Sequence, residues 1–280
     1  MELSTAVKSS SGMHEERFFA DPRLPFAECR ASQHSARTFK LHMHQCFSIG
    51  AVEQGEILYR LEGRSYRLLP GSLALINPEA LHACNQDEAA PRSYYVLHLH
   101  TDWCLRLQQS LWQVDQFVPV RLSLLEDVQL HQRYLAAMET LMADSLLLEK
   151  EQQLVELTEA VFLRACSPGA PVQPITRRVG QLKARLAANL ADDLTLEQLA
   201  AELEANACTL IRQFKEATGI TPHAYRMNCR INHARQLLQQ GRDIGETALE
   251  CGFFDQSHFH RHFKAMTTVT PREYQVNFVQ

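Results

Sequence analysis

Arg261 and Gln256 carry the two kinds of side chain best suited to reading a base pair. A guanidinium can give two donors at once to guanine O6 and N7, and a carboxamide pairs in the same two-point way with adenine. Both stand in the stretch Ile244 to Tyr274, IGETALECGFFDQSHFHRHFKAMTTVTPREY. Ser257, His258 and His260 are candidate neighbours on base or phosphate. Lys264 is a candidate phosphate contact, which positions a protein on DNA without specifying sequence. An earlier stretch offers a second set: Arg212, with Lys215 for phosphate and Cys208, Thr209 and Ile211 beside them. A third set is histidine. His42, His44, His82 and His98 carry imidazoles, which can hydrogen-bond or hold a divalent metal.

Base-reading side chains need a rigid element to aim them. Ile244, Ala248 and Cys251 fall on one apolar face of a short helix. Gly252 then allows the positive φ that ends a helix, and Asp255 is a good N-cap for a second one. In that second helix Phe259, Phe263 and Met266 take the buried side, leaving Gln256, Ser257, His260, Arg261 and Lys264 on the open side. Two short helices joined by a glycine turn, the second showing polar groups outward, have the form of a helix-turn-helix. Thr270, Pro271 and Glu273 open a further helix with a cap, a first-turn proline and a capping-box glutamate. The pattern occurs twice. RQFKEATGITPHAY (Arg212 to Tyr225) aligns without gaps to RHFKAMTTVTPREY (Arg261 to Tyr274), matching Arg, Phe, Lys, Thr-Pro and Tyr in order. Matched arginines at equivalent repeat positions favour a shared role over two solvated helix faces.

The tandem pair, ending in the CGF…SHF.R.FK…TP..Y run, resembles the AraC/XylS family of bacterial transcription regulators. The resemblance implies a C-terminal domain of two helix-turn-helix units and an N-terminal sensor barrel of the cupin type. Two departures stand out. Glu204 and Ala205 occupy the places of Gly252 and Phe253, so the first turn is expected to be built differently. Cys208 and Ile211 offer little hydrogen bonding, which weakens the first unit as a reader. Between the units, PHAYRMNCRINHARQLLQQG reads as one helix of roughly 28 Å, opened by Pro222 and closed by Gly241, with Ile231, Ala234, Leu237 and Leu238 on one side. Successive major-groove faces lie about 34 Å apart. Two readers on one stiff rod therefore imply two adjacent major grooves of one duplex.

Upstream, residues 1–35 are polar and aperiodic and read as an N-terminal arm. From 36 to 166 a sensor domain is expected. Its first part has short alternating runs broken by Gly55, Gly63, Pro70-Gly71 and Asn77-Pro78, the mark of antiparallel strands. The resemblance extends here to the cupin-like barrel through His42-x-His44 and LLPGSLALINPEALH. His42 and His44, two apart on a strand, share one face. In metal cupins such a pair joins a nearby glutamate and a later histidine around a divalent ion. His82 could be the later ligand, but Glu53 lies too far along and Ser48 is nearer the glutamate's usual place. Hydrogen-bonded barrel-mouth histidines are the first reading, with a metal and direct contact with an organic effector as the alternatives. No metal or cofactor is expected. Tyr94, Val96, His98 and His100 are candidate pocket residues, the inward side being open. Residues 122–165 read as helix, with a stripe at Leu135, Met138, Leu141 and Met142 and another at Leu154, Leu157, Val161 and Phe162. In related regulators such helices also make the dimer contact. SPGAPVQP then marks a linker at 167–175, and the DNA-binding domain follows at 176–280.

The whole chain fits this division. Its 280 residues carry a net charge of −4, which argues against indiscriminate nucleic-acid binding. From Thr176 onward there are 13 Lys and Arg against 11 Asp and Glu, whereas the preceding part has 15 against 21. A mildly basic half joined to an acidic half suits a DNA reader attached to something else. No apolar run reaches membrane-spanning length, and the first residues lack a secretory apolar core. Eight scattered cysteines without a C-x-x-C pair suit a reduced, cytoplasmic protein. No catalytic triad, P-loop or dinucleotide fingerprint is present. The expected fold is therefore α+β with two domains: a cupin-like β-barrel with packed helices, then an all-α tandem helix-turn-helix domain with a linker helix. The expected function is sequence-specific transcription regulation under a small-molecule effector, as a homodimer that meets RNA polymerase. Two rivals are a cupin-type metalloenzyme with a helical accessory domain and a DNA binder whose barrel serves only assembly.

Overall fold

Alternating small apolar and charged residues make strands of the first segments. In the computed structural model, which describes residues 15–85, 91–168, 177–192, 194–205 and 207–278 apart from the side chains at 196, 197, 207, 208, 277 and 278, these are β1 (Glu15–Ala20) and β2 (Ala27–Ser35). Then come β3 (Phe47–Gln54), β4 (Ile57–Leu61), β5 (Arg64–Leu68), β6 (Ser72–Ile76), β7 (His82–Asn85) and β8 (Arg92–Leu99). Helix α1 (Thr101–Leu111), strand β9 (Leu124–Glu126) and helices α2 (Val128–Met142) and α3 (Leu147–Ala165) complete the N-terminal unit. One antiparallel sheet has the order β1-β2-β8-β3-β6-β9 and the other β5-β4-β7. Period-two alternation sorts the strands' two faces. Phe47, Ile49, Ala51, Leu73, Leu75, Tyr95, Leu97 and Leu99 pack against α1, α2 and α3. Val52, Tyr59, Leu68, Ala74, Ile76 and Tyr94 pack between the two sheets.

Three expectations are corrected here. Residues 15–35 are not an arm: β1 and β2 are outer strands of the large sheet, and β2 pairs with β8 from Ala27↔Leu99 onward. The domain thus extends well before residue 36. Residues 122–165 are not helix throughout, because Leu124–Glu126 pairs with β6 before α2 begins at its Asp127 cap. Helix α1, from TDWCLRLQQSL, was not foreseen. Most of the expected linker, at 169–175, lies outside the described residues.

The helical unit contains α4 (Arg177–Ala187), α5 (Leu196–Glu202), α6 (Ala207–Thr218), α7 (Pro222–Gln239), α8 (Ile244–Glu250), α9 (Gln256–Thr267) and α10 (Pro271–Phe278). Local caps set these boundaries. Thr195 and Gln198 form a reciprocal capping box, and so do Thr270 and Glu273. Helix α7 joins two cores. Tyr225 and Cys229 pack with α4, α5 and α6, while Met227, Ile231, Ala234, Leu237 and Leu238 pack with α8, α9 and α10.

The turns of the two helix-turn-helix units carry matching hydrogen bonds. Gly252 and Phe253 donate their N–H groups to Leu249 and Ala248 carbonyls, and Glu204 and Ala205 donate to Ala201 and Ala200 in the same offsets. Glu204 holds φ +48° where Gly252 holds +75°. The first turn is therefore built like the second, with a glutamate in left-handed backbone, and the expected difference is overturned. Thr218 and Thr267 donate to Phe214 and Phe263 carbonyls at matching distances of 2.7 and 2.8 Å. Phe214 meets Tyr225, and Phe263 meets Tyr274, edge to face at 5.4 Å each. A Cβ on Gly252 would lie 2.3 Å from the Leu190 carbonyl oxygen. Opposite outcomes are expected at this one repeat position. In urea denaturation Gly252→Ala loses about 2–3 kcal/mol through overpacking and strain. Glu204→Gly gains about 0.5–1 kcal/mol by relieving left-handed backbone.

Candidate DNA-reading face and the closed barrel pocket

Asp255 accepts the His258 N–H at 2.6 Å, which starts α9 and fixes its rotation. Phe259 and Phe263 are driven inward, and Gln256, Ser257, His260, Arg261 and Lys264 are left exposed along one open groove. His258 does not join them. It is half-buried, edge-on to Phe253 at 5.6 Å and to His262 at 4.7 Å. Position 258 lies one residue from Phe259 and leans toward the core, in keeping with its absence from the predicted open side. On α6, Arg212 and Lys215 are exposed, and Thr209 and Ile211 are half-buried. The Cys208 side chain is outside the described set. Among the described residues, no ion pair engages Arg212, Lys215, Arg261 or Lys264, so four cations on the two matched helices face solvent.

The four histidines gather inside the barrel. His42 bridges to His82 by paired backbone bonds of 2.9 and 3.0 Å, and their rings lie 4.4 Å apart. His44 stands 4.8 Å from His42 and 4.6 Å from His98. Alternation on β8 turns Tyr94, Val96 and His98 inward, and the inner face of β2 adds Glu28 and Arg30. His100 lies outside this cavity, among Gln45, Cys46 and Gln236. The cavity, about 90 Å³, has an apolar floor that includes Ile57, Leu68, Ala74 and Ile76.

The helical unit forms the lid. Arg235 on α7, Met266 and Thr267 on α9, Val269, and Tyr274 on α10 all line the cavity. Glu28 anchors this lid: it accepts from Arg235 at 2.7 Å, from Gln239 at 2.8 Å and from the Tyr274 hydroxyl at 3.2 Å. Arg30, held by Glu16 through two bonds of 2.6 and 2.9 Å, donates to Thr267 O and Thr268 Oγ1. A second anchor lies toward the other end of α7, where Glu79 accepts from the Tyr225 hydroxyl at 3.0 Å and from Lys183. Met43 and Leu81 enter the first helical core, and Asn228 takes the Met43 N–H at 3.1 Å. The sequence reading missed Glu28, Arg30, Glu79 and Arg235. The alternation Ala27-Glu28-Cys29-Arg30-Ala31 was the available sign of a strand with one charged face.

Burial dominates the local acid–base chemistry. It lowers His82 to about 4, and with the Arg235 charge it lowers His98 to about 3. His42 and His44 are pushed well below the ordinary imidazole value, first by burial and then by neighbouring histidines. Burial raises the Glu28 carboxyl, but the Arg235 charge, His98 and the hydrogen bonds from Arg235 and Gln239 together outweigh it and hold Glu28 below the usual carboxylate range. Both effects have one sign. The native histidines stay neutral while unfolded ones protonate, and the native Glu28 stays charged while an unfolded one is neutralised. Stability is therefore full above about pH 6.5 and falls with acidification, first through the histidines and then, below about pH 4, through Glu28. Thermal melts from pH 7 to 4 should show Tm declining, and less steeply in His82→Gln/His98→Gln.

Comparison with known proteins places this architecture. Residues 25–203 match the family model "AraC-like ligand binding domain", and residues 199–277 match "Helix-turn-helix domain". The HTH-type transcriptional activator RhaS of Klebsiella pneumoniae is 27% identical over 270 residues, covering 90% of each chain. The uncharacterized HTH-type transcriptional regulator YbfI of Bacillus subtilis is 27% identical over 229 residues, covering 79% of this chain and 81% of its own. ToxT from Vibrio cholerae superposes with a TM-score of 0.62 at 14% identity, over 91% of this chain and 100% of ToxT. The fold and the paired helix-turn-helix units define a ligand-responsive DNA-binding regulator of transcription, not an enzyme. This chain belongs to the AraC family. Among the described residues no helix is long and apolar enough to cross a membrane.

Proposed function

We propose that α6 and α9 enter two adjacent major grooves of one duplex, with Arg261 and Arg212 reading guanine and Lys264 and Lys215 on phosphate. The observation that carries this reading is the matching set of turn hydrogen bonds in the two units, with an exposed arginine at the same position of each that makes no ion pair among the described residues. Helix α7, 18 residues and roughly 27 Å long, spaces the two readers. Gln256, Ser257 and His260 share the α9 groove with Arg261, and Thr209 and Ile211 flank Arg212. His258 is the further proposed neighbour on α9, its ring set against Phe253 and His262.

The barrel cavity is the effector site in this reading, with His42, His44, His82 and His98 at its polar end. Its volume is small beside the 300–1,000 Å³ common for organic ligands. A sugar-sized effector would therefore have to displace the lid formed by the helical unit, which ties effector entry to the position of the recognition helices. ToxT has been solved with an unsaturated fatty acid bound, and RhaS is described as an activator. Activation, with contact to RNA polymerase, is the corresponding proposal for this chain. Homodimerisation is proposed through α2 and α3, whose surface leaves Leu146, Leu148 and Leu163 exposed at 78, 74 and 61%. Residues 36–166 and 176–280, with the strands at 15–35 added to the first, are the proposed sensor and reader.

Fluorescence anisotropy on a selected operator and on random duplex separates the two roles. Arg261→Ala loses about 1–3 kcal/mol on the operator and relaxes preference at one base pair. Lys264→Ala weakens both duplexes alike and lowers the salt slope by about 1. Identical behaviour of the two variants on both duplexes refutes the assignment.

A further inference from the structure

Among the described residues, His42, His44 and His82 form one group that could hold a metal ion, with one ligand nitrogen from each lying within 4.8 Å of the others. Two of these rings are fixed by the backbone. His42 Nδ1 lies 2.7 Å from the Lys40 carbonyl oxygen, and His82 Nδ1 lies 2.9 Å from that of Ala80. A carbonyl only accepts, so both Nδ1 atoms carry the proton and both Nε2 atoms are bare lone pairs. Bare lone pairs cannot hydrogen-bond to one another. Rings held this way by a backbone carbonyl are oriented as metal-ligating histidines are. A tetrahedral ion about 2.1 Å from each nitrogen sets the nitrogens roughly 3.4 Å apart, so small ring rotations close the cluster. Neutral imidazoles without thiolate or carboxylate suit zinc, nickel, cobalt or copper rather than magnesium or calcium.

His44 differs in a way that matters. Its Nδ1 lies 3.3 Å from an Arg235 guanidinium nitrogen. A guanidinium only donates, so His44 Nδ1 accepts and the proton sits on Nε2. A neutral imidazole has a single lone pair in the ring plane. If a metal binds Nδ1, it takes the pair that Arg235 uses. If it binds Nε2, the proton moves to Nδ1, which then points an N–H at an N–H. In both geometries the metal and Arg235 exclude each other, and repulsion between the two cations acts in the same direction.

We propose that His42, His44 and His82 bind a divalent transition-metal cation, and that binding breaks the Arg235–His44 contact between barrel and helical unit. The occupied site thereby loosens one strut of the lid, and the consequence for DNA rests on the regulator reading above. Metal uptake does not. Untagged full-length chain, stripped with EDTA, is titrated with Co²⁺ and followed by visible absorption. One equivalent binds, with d–d bands of nitrogen ligation. His82→Gln and His42→Gln each abolish the bands while far-UV circular dichroism is unchanged. Arg235→Gln/Glu28→Gln, which removes both charges of the buried pair together, binds Co²⁺ at least about tenfold tighter, the scale of a lost hydrogen bond to a charged group. Bands that survive in both histidine variants, or no uptake by either the wild-type chain or the double variant, overturn the site. Equal affinity in wild type and double variant overturns the exclusion. No DNA is present, so a failure here is distinguishable from a failure of the operator assay.

Discussion

The Glu28–Arg235 ion pair is the interaction on which the arrangement of this molecule depends. It spans 2.7 Å between a strand of the barrel and the helix that carries both DNA-binding units, and its side chains are only 16 and 13% exposed. A pair so enclosed adds little as an attraction, because both ions gave up water to form it. Removing one partner is another matter, costing about 3–5 kcal/mol for the stranded charge. The pair therefore acts as a constraint on position. Gln239 and the Tyr274 hydroxyl occupy other acceptor sites on Glu28, so the carboxylate fixes three points of the helical unit at once. Because α7 packs into both helical cores, placing α7 places α6 and α9 as well.

Duplication explains how one rod can serve two readers. Each unit ends in a Thr-Pro that starts a helix and a tyrosine one turn on, and in both the tyrosine ring seals its own core edge-on against a phenylalanine. The hydroxyl tip then projects from that core to a carboxylate of the barrel: Tyr225 to Glu79 and Tyr274 to Glu28. A tyrosine does both because its body is apolar and its tip polar. The partners of the two carboxylates are less alike. Lys183 comes from α4, whereas Arg235 comes from α7 itself. Two further arginines complete the scaffold without touching DNA candidates. Arg226 reaches the carbonyls of Leu186, Asn189 and Asp192, and Arg230 that of Leu190, which together hold the segment following α4.

Much of the helical unit was legible because its signals are local. Caps at Asp255 and Thr270, the first-turn prolines, and the spacing of Phe259 and Phe263 each act within a turn or two of helix. The departures were places where tertiary contact overrides local preference. Glu204 adopts left-handed backbone because the turn's hydrogen bonds demand it, whatever the residue. The strand Leu124–Glu126 is three residues long and exists because β6 offers an edge. The outer strands β1 and β2 were missed because their charged residues read as an arm, while Glu28 and Arg30 line the cavity and Glu16 pairs with Arg30. The histidines were singled out by the cupin resemblance together with strand spacing, yet no sequence signal shows that Arg235, almost two hundred residues away, would meet one of them.

The two carboxylate anchors hold the helical unit near opposite ends of α7. Held near both ends, the unit cannot swing; held near one, it can. If Glu28 and Arg30 both let go while Glu79 keeps its tyrosine and lysine, the reader does not drift away from the sensor. It pivots about the Tyr225 end, and the arc is widest at the far unit, where α9 sits. The second unit would then change its aim more than the first, so one sensor could retune a duplex-spanning reader by moving a single half of it.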